Sequence, residues 1–195
     1  MANKVKYGLK NVYYAPVTAE DATTGELTYG EPVRWPGAVT LTMDPSGEQE
    51  PFYADDVVYF IAGGSEGYSG TLESALVPES FATDILDEEK DSKNVMIEKS
   101  GATMKKFALL FEFTADEKAI RHIFYNCAAT RGSVASNTKA ASKTPITETV
   151  NLTASETYCS ALDKMIVKAR TASDTDTTTY NSWYTAVHTP TASNS

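Results

Sequence analysis

Only two of the 195 residues are cysteine and two are histidine, and these shortages exclude most metal and nucleophile chemistry. Cys127 and Cys159 lack CxxC spacing and a neighbouring histidine, so neither a metal centre nor a disulfide framework is expected; both read as small, partly buried residues. His122 and His188 lie far apart, outside any HExxH-like pair and away from a recognisable Ser or Cys nucleophile motif. Long apolar runs are also missing. None approaches the roughly 20 residues that span a bilayer, and residues 1–10 have no signal-peptide core, which points to folding in a cytoplasm without membrane insertion. No internal repeat is visible.

Positive charge is scarce in the first half. Residues 1–100 hold 18 acids and 7 bases, residues 101–195 hold 8 and 10, so the net charge of -9 divides into -11 and +2. Between residues 44 and 91 there are 13 acids and one base, Lys90, which argues against gripping nucleic acid by its phosphates.

The remaining candidate motifs fail on chemistry. Gly63-Gly64-Ser65-Glu66-Gly67 lacks the Lys-Ser/Thr ending that a phosphate loop needs, and reads as a turn between strands. Asp174-Thr175-Asp176 has no sharp-turn glycine and no closing Glu for calcium. Asn151-Leu152-Thr153 matches a glycosylation acceptor but has no secretory context. No two carboxylates are paired by the sequence in a dry cleft. The expectation is a non-enzyme with no catalytic residue, cofactor or metal.

What is abundant is β patterning. The length suits one domain over residues 1–190, with 191–195 a tail unable to fold alone. Strands are expected at residues 5–15, ending at Pro16, and at 33–43, where Val39, Leu41 and Met43 alternate with Thr40 and Thr42 before the break at 44–47. Residues 18–30 read as turn-rich. A third strand, 52–62, carries the near-continuous run Val57-Val58-Tyr59-Phe60-Ile61, as if covered on both faces. The acidic stretch 48–56, with Glu48, Glu50, Asp55 and Asp56, reads as the tip of a long hairpin. Residues 65–77 alternate as a further strand.

Pro78 and Glu79 open the one expected helix, with Phe81 and Ile85 on one face; it ends near Lys90, and Asp84, Asp87, Glu88 and Glu89 form a solvated face. Residues 93–98 form a short strand. A hairpin joins 104–113 to 119–128; a helix over 115–126 is the rival, since Ala119, Ile123 and Cys127 also recur at helical spacing. Residues 131–144 form an exposed connection, 147–154 and 164–171 resume the β pattern, and 180–187 form a final aromatic segment. Trp35, Phe52, Tyr53, Tyr59, Phe60, Trp183 and Tyr184 read as core or, alternatively, as subunit interface. Many short strands and one helix indicate a mainly β fold, a β-sandwich or partial β-barrel.

Several segments resemble, in order, the major tail proteins of long-tailed, non-contractile bacteriophages infecting Gram-positive bacteria. They are Tyr7-Gly8-Leu9-Lys10-Asn11-Val12-Tyr13-Tyr14-Ala15, Pro36-Gly37-Ala38-Val39-Thr40-Leu41 and Gly67-Tyr68-Ser69-Gly70-Thr71-Leu72-Glu73 with Val77-Pro78. Lys106-Phe107-Ala108-Leu109-Leu110-Phe111-Glu112, Tyr125-Asn126-Cys127-Ala128-Ala129-Thr130-Arg131, Thr147-Glu148-Thr149-Val150-Asn151-Leu152-Thr153-Ala154 and Tyr180-Asn181-Ser182-Trp183-Tyr184 complete the series, which runs from about residue 5 to 190. Gly132 departs from the Pro such proteins place after the equivalent of Arg131.

The resemblance implies a virion structural protein of the tail tube, assembled as stacked hexameric rings. Its implied partners are itself, the tape-measure protein, the tail terminator and distal tail or baseplate proteins, with DNA passing through the lumen unbound. It brings no catalytic residues. On this reading Glu48, Glu50, Asp55 and Asp56 are candidates to line the lumen with negative charge, so that DNA slides; their plainer role is solubility and protection of strand edges. Alternatives are a β-sandwich virion module binding host carbohydrate through exposed aromatics, and a tube protein of a contractile or secretion-type system.

Overall fold

The computed structural model describes residues 3–47, 50–62, 67–138 and 145–192, and for 50–52 and 60–62 the backbone only. The chain is mainly β. Strand β1 (Lys6–Glu20) runs straight through Pro16, past the expected stop. Its outer partners explain this: β2 (Leu27–Tyr29) pairs with Val17–Glu20 and β3 (Val33–Trp35) with Val12–Tyr14, so the proline's missing N–H falls between two ladders. The turn-rich stretch is a hairpin loop, where the Asp21 carboxylate accepts from the backbone N–H groups of Thr23 and Thr24 at 2.9 and 2.8 Å.

Pro36-Gly37, with Gly37 at φ +78°, separates β3 from β4 (Ala38–Ser46), so the single strand expected over 33–43 is two. A register shift between Ala38 and Thr40 turns Val39 outward, and β4 continues through Asp44 and Pro45 rather than breaking there. The expected strand 52–62 is also two. It contains the end of β5 (Glu50–Ala54), the turn Asp55-Asp56 and β6 (Val57–Ala62). Next comes β7 (Gly67–Ser74), which alternates as expected and pairs with β4 from Ala38↔Ser74 to Ser46↔Gly67.

Helix α1 (Glu79–Asp84) follows Pro78 and buries Phe81, with Ile85 capping it. It stops well short of Lys90, because the chain turns at Asp87, φ +62°, into the small ladder of β8 (Glu89–Lys90) and β9 (Met96–Ile97). The acids from Asp84 onward are not simply a solvated face: Asp84 accepts from the Tyr14 hydroxyl at 3.0 Å, and Lys99 bridges Asp87 and Glu89 at 3.2 and 2.7 Å. The hairpin of β10 (Phe107–Ala115) and β11 (Ile120–Thr130) replaces the rival helix. Residues 131–138 have no regular structure and are mostly exposed. After β12 (Glu148–Ser155) come β13 (Thr157–Cys159), β14 (Lys164–Ile166) and β15 (Lys168–Arg170), so 164–171 is split in two. The aromatic segment contains a second helix, α2 (Thr177–Ser182), capped by the Asp176 side chain, which accepts from the N–H of Thr179 at 3.0 Å.

The main sheet is antiparallel, in the order β2-β1-β10-β11-β12-β7-β4, with β3 on β1 and β15 on β11. Val12 of β1, Leu109 of β10, Leu152 of β12 and Leu72 of β7 share one apolar cluster, so the sheet curls around it, and α1 supplies Phe81 and Ile85. Its other face holds a smaller cluster of Ala108, Leu110, Ile123 and Tyr125 under Trp183. A shift in register places Phe107 opposite Cys127 but Leu109 opposite Phe124. That one extra residue in β11 moves Cys127 onto the face of Phe124, not that of Ile123 and Tyr125 as simple alternation predicts. At Gly70 a Cβ would stand 1.9 Å from the Thr42 carbonyl oxygen, so β4 and β7 meet there only because the residue is glycine.

Candidate assembly surfaces

In chain order the β5–β6 ladder lies within the β4–β7 ladder, so the four strands make the long hairpin expected from the sequence. Its tip is narrower than residues 48–56. Ala54 faces Val57, leaving Asp55 and Asp56 as a two-residue loop with φ +52° and +60°, the left-handed pair required by a type I′ turn. Asp tolerates that conformation better than most residues because its short side chain bonds locally. Both aspartates are exposed. Glu50 begins β5, roughly 14 Å of strand from the turn at about 3.4 Å per residue. Glu48 lies outside the described residues, so the structure brings together only Asp55 and Asp56 of the four acids.

Among the described residues no ladder joins β5–β6 to the main sheet. Tyr53 is 63% and Tyr59 73% exposed, and Val57 and Val58 are exposed as well. Double-sided cover, expected from the apolar run, is therefore absent at these four residues. Trp35 and Trp183 are buried, whereas the side chains of Phe52 and Phe60 lie outside the description.

A second open surface is the beginning of β1. One side pairs with β10 from Lys6↔Ala115 onward; the other has no strand partner before Val12 among the described residues. Val5 and Tyr7 are exposed along it, and Lys4, Lys6 and Lys10 are exposed beside them. The sequence signal was available as three lysines without an acid in residues 3–15, but composition alone did not mark an edge.

The opposite face of β10–β11 is sealed by the C-terminal segment through a polar latch that sequence reading missed. Glu112, 7% exposed, accepts from Asn11 at 2.8 Å, from Arg121 at 3.2 Å and from the Tyr184 hydroxyl at 3.2 Å. Asn11 reaches it from a bulge in β1 with φ +48°. The Arg121 guanidinium lies 3.8 Å over the Tyr180 ring and donates to the Tyr180 carbonyl. Burial and the Glu112 charge push the Tyr184 hydroxyl far above its ordinary range. The visible signal was a glutamate inside the apolar run 107–113.

Neither histidine or cysteine joins this machinery. His122 stacks parallel to Phe111 at 5.1 Å, and burial, with Arg170, Lys168 and Lys6 nearby, pushes it down to about 4, leaving it neutral. His188 stacks on Trp183, and burial lowers it. Cys127 is buried and pushed up to about 12, and Cys159 is also buried, more fully than expected. A groove of about 640 Å³ lies between β1–β2 and residues 185–189 and is lined by Glu20, Asp21, Glu26 and Glu31 without a His or Cys. Among the described residues no helix is long and apolar enough to cross a membrane. No protein-family model matches the chain, and no curated protein matches it.

Proposed function

We propose that this chain is a tail tube subunit, a non-enzymatic virion protein that polymerises as stacked hexameric rings around a conduit for DNA. The observation that carries the reading is the β5–β6 arm: an extended apolar hairpin standing free of a well-packed curled sheet. Water-exposed apolar surface of that kind marks a contact with another chain. Open strand edges on the same body supply the complementary liability, which assembly turns to use. A heterologous contact that closes by rotation makes a ring, and a second contact along the axis extends it to a tube. The ordered sequence resemblance to phage major tail proteins points the same way.

In such a tube Glu48, Glu50, Asp55 and Asp56 are the candidates to line the lumen. Double-stranded DNA carries a charge about every 1.7 Å of axis, so a negative wall lets it slide where a basic wall would hold it. The tape-measure, terminator and distal tail or baseplate proteins are the partners at the tube's core and ends. Negative-stain electron microscopy of purified protein across concentration and salt tests the reading. Rings or hollow tubes with six-fold end views support it; monomers at every condition, even when seeded with tail-tip complex, shift it to a carbohydrate-binding module using Tyr53 and Tyr59.

A further inference from the structure

Between the β10–β11 turn and the end of β15 lies a cavity of about 290 Å³, at the lower end of the sizes that hold small ligands. Its walls are Asn3, Lys118, Ile120, Arg170, Thr171 and Ser173, with two alanines between them. Two of these residues are cations and none is an acid. Neither Lys118 nor Arg170 is ion-paired among the described residues. The acids beside them in sequence stay outside: Asp116 accepts from the Lys4 N–H at 3.0 Å, and Glu117 and Asp174 are exposed and border no part of the cavity.

The walls are held in place by contacts of their own. The Lys118 ammonium lies 3.9 Å over the Tyr180 ring, and the Tyr180 hydroxyl donates to the Ala119 carbonyl at 3.0 Å. Asn3 accepts from the N–H groups of Glu117 and Lys118 at 3.2 and 2.9 Å and donates to the Lys118 carbonyl at 2.6 Å, so its amide shapes the turn and is spent there. Thr171 is different. It is only 6% exposed, its hydroxyl accepts from the Arg121 N–H at 3.0 Å, and the hydroxyl proton has no acceptor among the described residues. A buried donor with capacity left over therefore borders a cavity that already carries two unpaired cations.

We propose that this cavity binds a phosphate group, held by Arg170 and Lys118 with the hydroxyls of Thr171 and Ser173; the site stands whether or not the chain forms a tube. Arg170 offers a planar fork of donors that fits phosphate oxygens, Lys118 a point charge, and the hydroxyls neutral donors. Near pH 7 a phosphate monoester carries about 1.5 to 2 negative charges, which two cations balance. A carboxylate, or a diester phosphate within a nucleic acid, carries one and leaves a cation unmatched. The local potential is positive: after burial, the charges of Arg170, Lys168 and Lys6 are what hold His122 neutral. The chain as a whole carries -9, so long-range attraction works against an anion and binding depends on these walls.

Isothermal titration of the full chain with inorganic phosphate, in a buffer free of other oxyanions, tests the site. We expect saturable binding of about one ion per chain, weakened at least about tenfold by Arg170→Gln and by Lys118→Gln, the scale of one lost charge-assisted hydrogen bond. Lys93→Gln, at an exposed cation in the β8–β9 turn, should leave binding unchanged. Thermal melting without phosphate shows that each variant folds; because Lys118→Gln also removes the contact over Tyr180, Arg170→Gln is the decisive variant if Lys118→Gln melts early. Glycerol 3-phosphate titrated in parallel identifies the source: tighter binding than the inorganic ion assigns the site to the terminal phosphate of a larger molecule, and weaker binding assigns it to the free ion. No saturable binding at millimolar phosphate, or binding that Arg170→Gln leaves at wild-type strength, overturns the proposal.

Discussion

β10 and the β5–β6 arm are both strongly apolar, yet β10 is covered on two faces while the arm's described Tyr53, Val57, Val58 and Tyr59 are exposed. Phe107, Leu109 and Phe111 enter the larger cluster while Ala108 and Leu110 enter the smaller. Val57, Val58 and Tyr59 enter neither and meet solvent. The difference lies in what the rest of the chain supplies. β1, β11 and the C-terminal segment flank β10, whereas among the described residues the arm's strands pair only with each other. An apolar strand is a demand for cover, and among the described residues nothing covers Tyr53, Val57, Val58 and Tyr59. That contrast divides the described residues into a body covered by its own chain and an arm whose apolar side chains meet solvent.

The contrast breaks most severely at the polar latch. Arg121→Ala strands the nearly buried Glu112 and removes the stack under Tyr180, at a cost of about 3–5 kcal/mol in denaturant unfolding; Glu112→Gln with Arg121→Met recovers part of it. Gly70→Ala drives a Cβ into the Thr42 carbonyl and should cost about 2–3 kcal/mol, because β4 and β7 must separate. Acid exposes the body through His122. The folded chain binds its proton near 4 and the unfolded chain near 6.5, so stability is complete above 6.5 and falls as pH drops toward 4. The gap corresponds to about 3 kcal/mol at most, and residual solvent contact reduces it to about 1–2 kcal/mol; His122→Phe should flatten the stability–pH profile between those limits. Smallest of all, Tyr59→Ser should change monomer stability by less than about 0.5 kcal/mol while weakening assembly, which separates arm from body.

Much of the body was legible in the sequence because its strands obey the two-residue period against a covered face. β7, β10 and β12 follow it closely, as does the pair Phe81 and Ile85. Departures came from single-residue events. One inserted residue in β11 moved Cys127 to the other face, a bulge exposed Val39, and Pro16 passed unharmed between two partners. Helix α2 is only six residues long and buries none of them, so no apolar stripe marks it; its readable start signal is Asp176, which caps Thr179. At the candidate surfaces, acidity placed the hairpin tip within a few residues, but the two-residue turn at Asp55-Asp56 depends on register. The Glu112–Arg121 latch joins three distant segments, a relation that no local pattern contains.

Amide hydrogen exchange, followed in dilute protein and again at concentrations and low salt that favour association, tests the division directly. The account predicts that β10 and β11 are protected equally in both, while the amides of β5 and β6 exchange fast in dilute protein and slow markedly on association. An arm already protected in the dilute monomer, or equally unprotected at both concentrations, would contradict it.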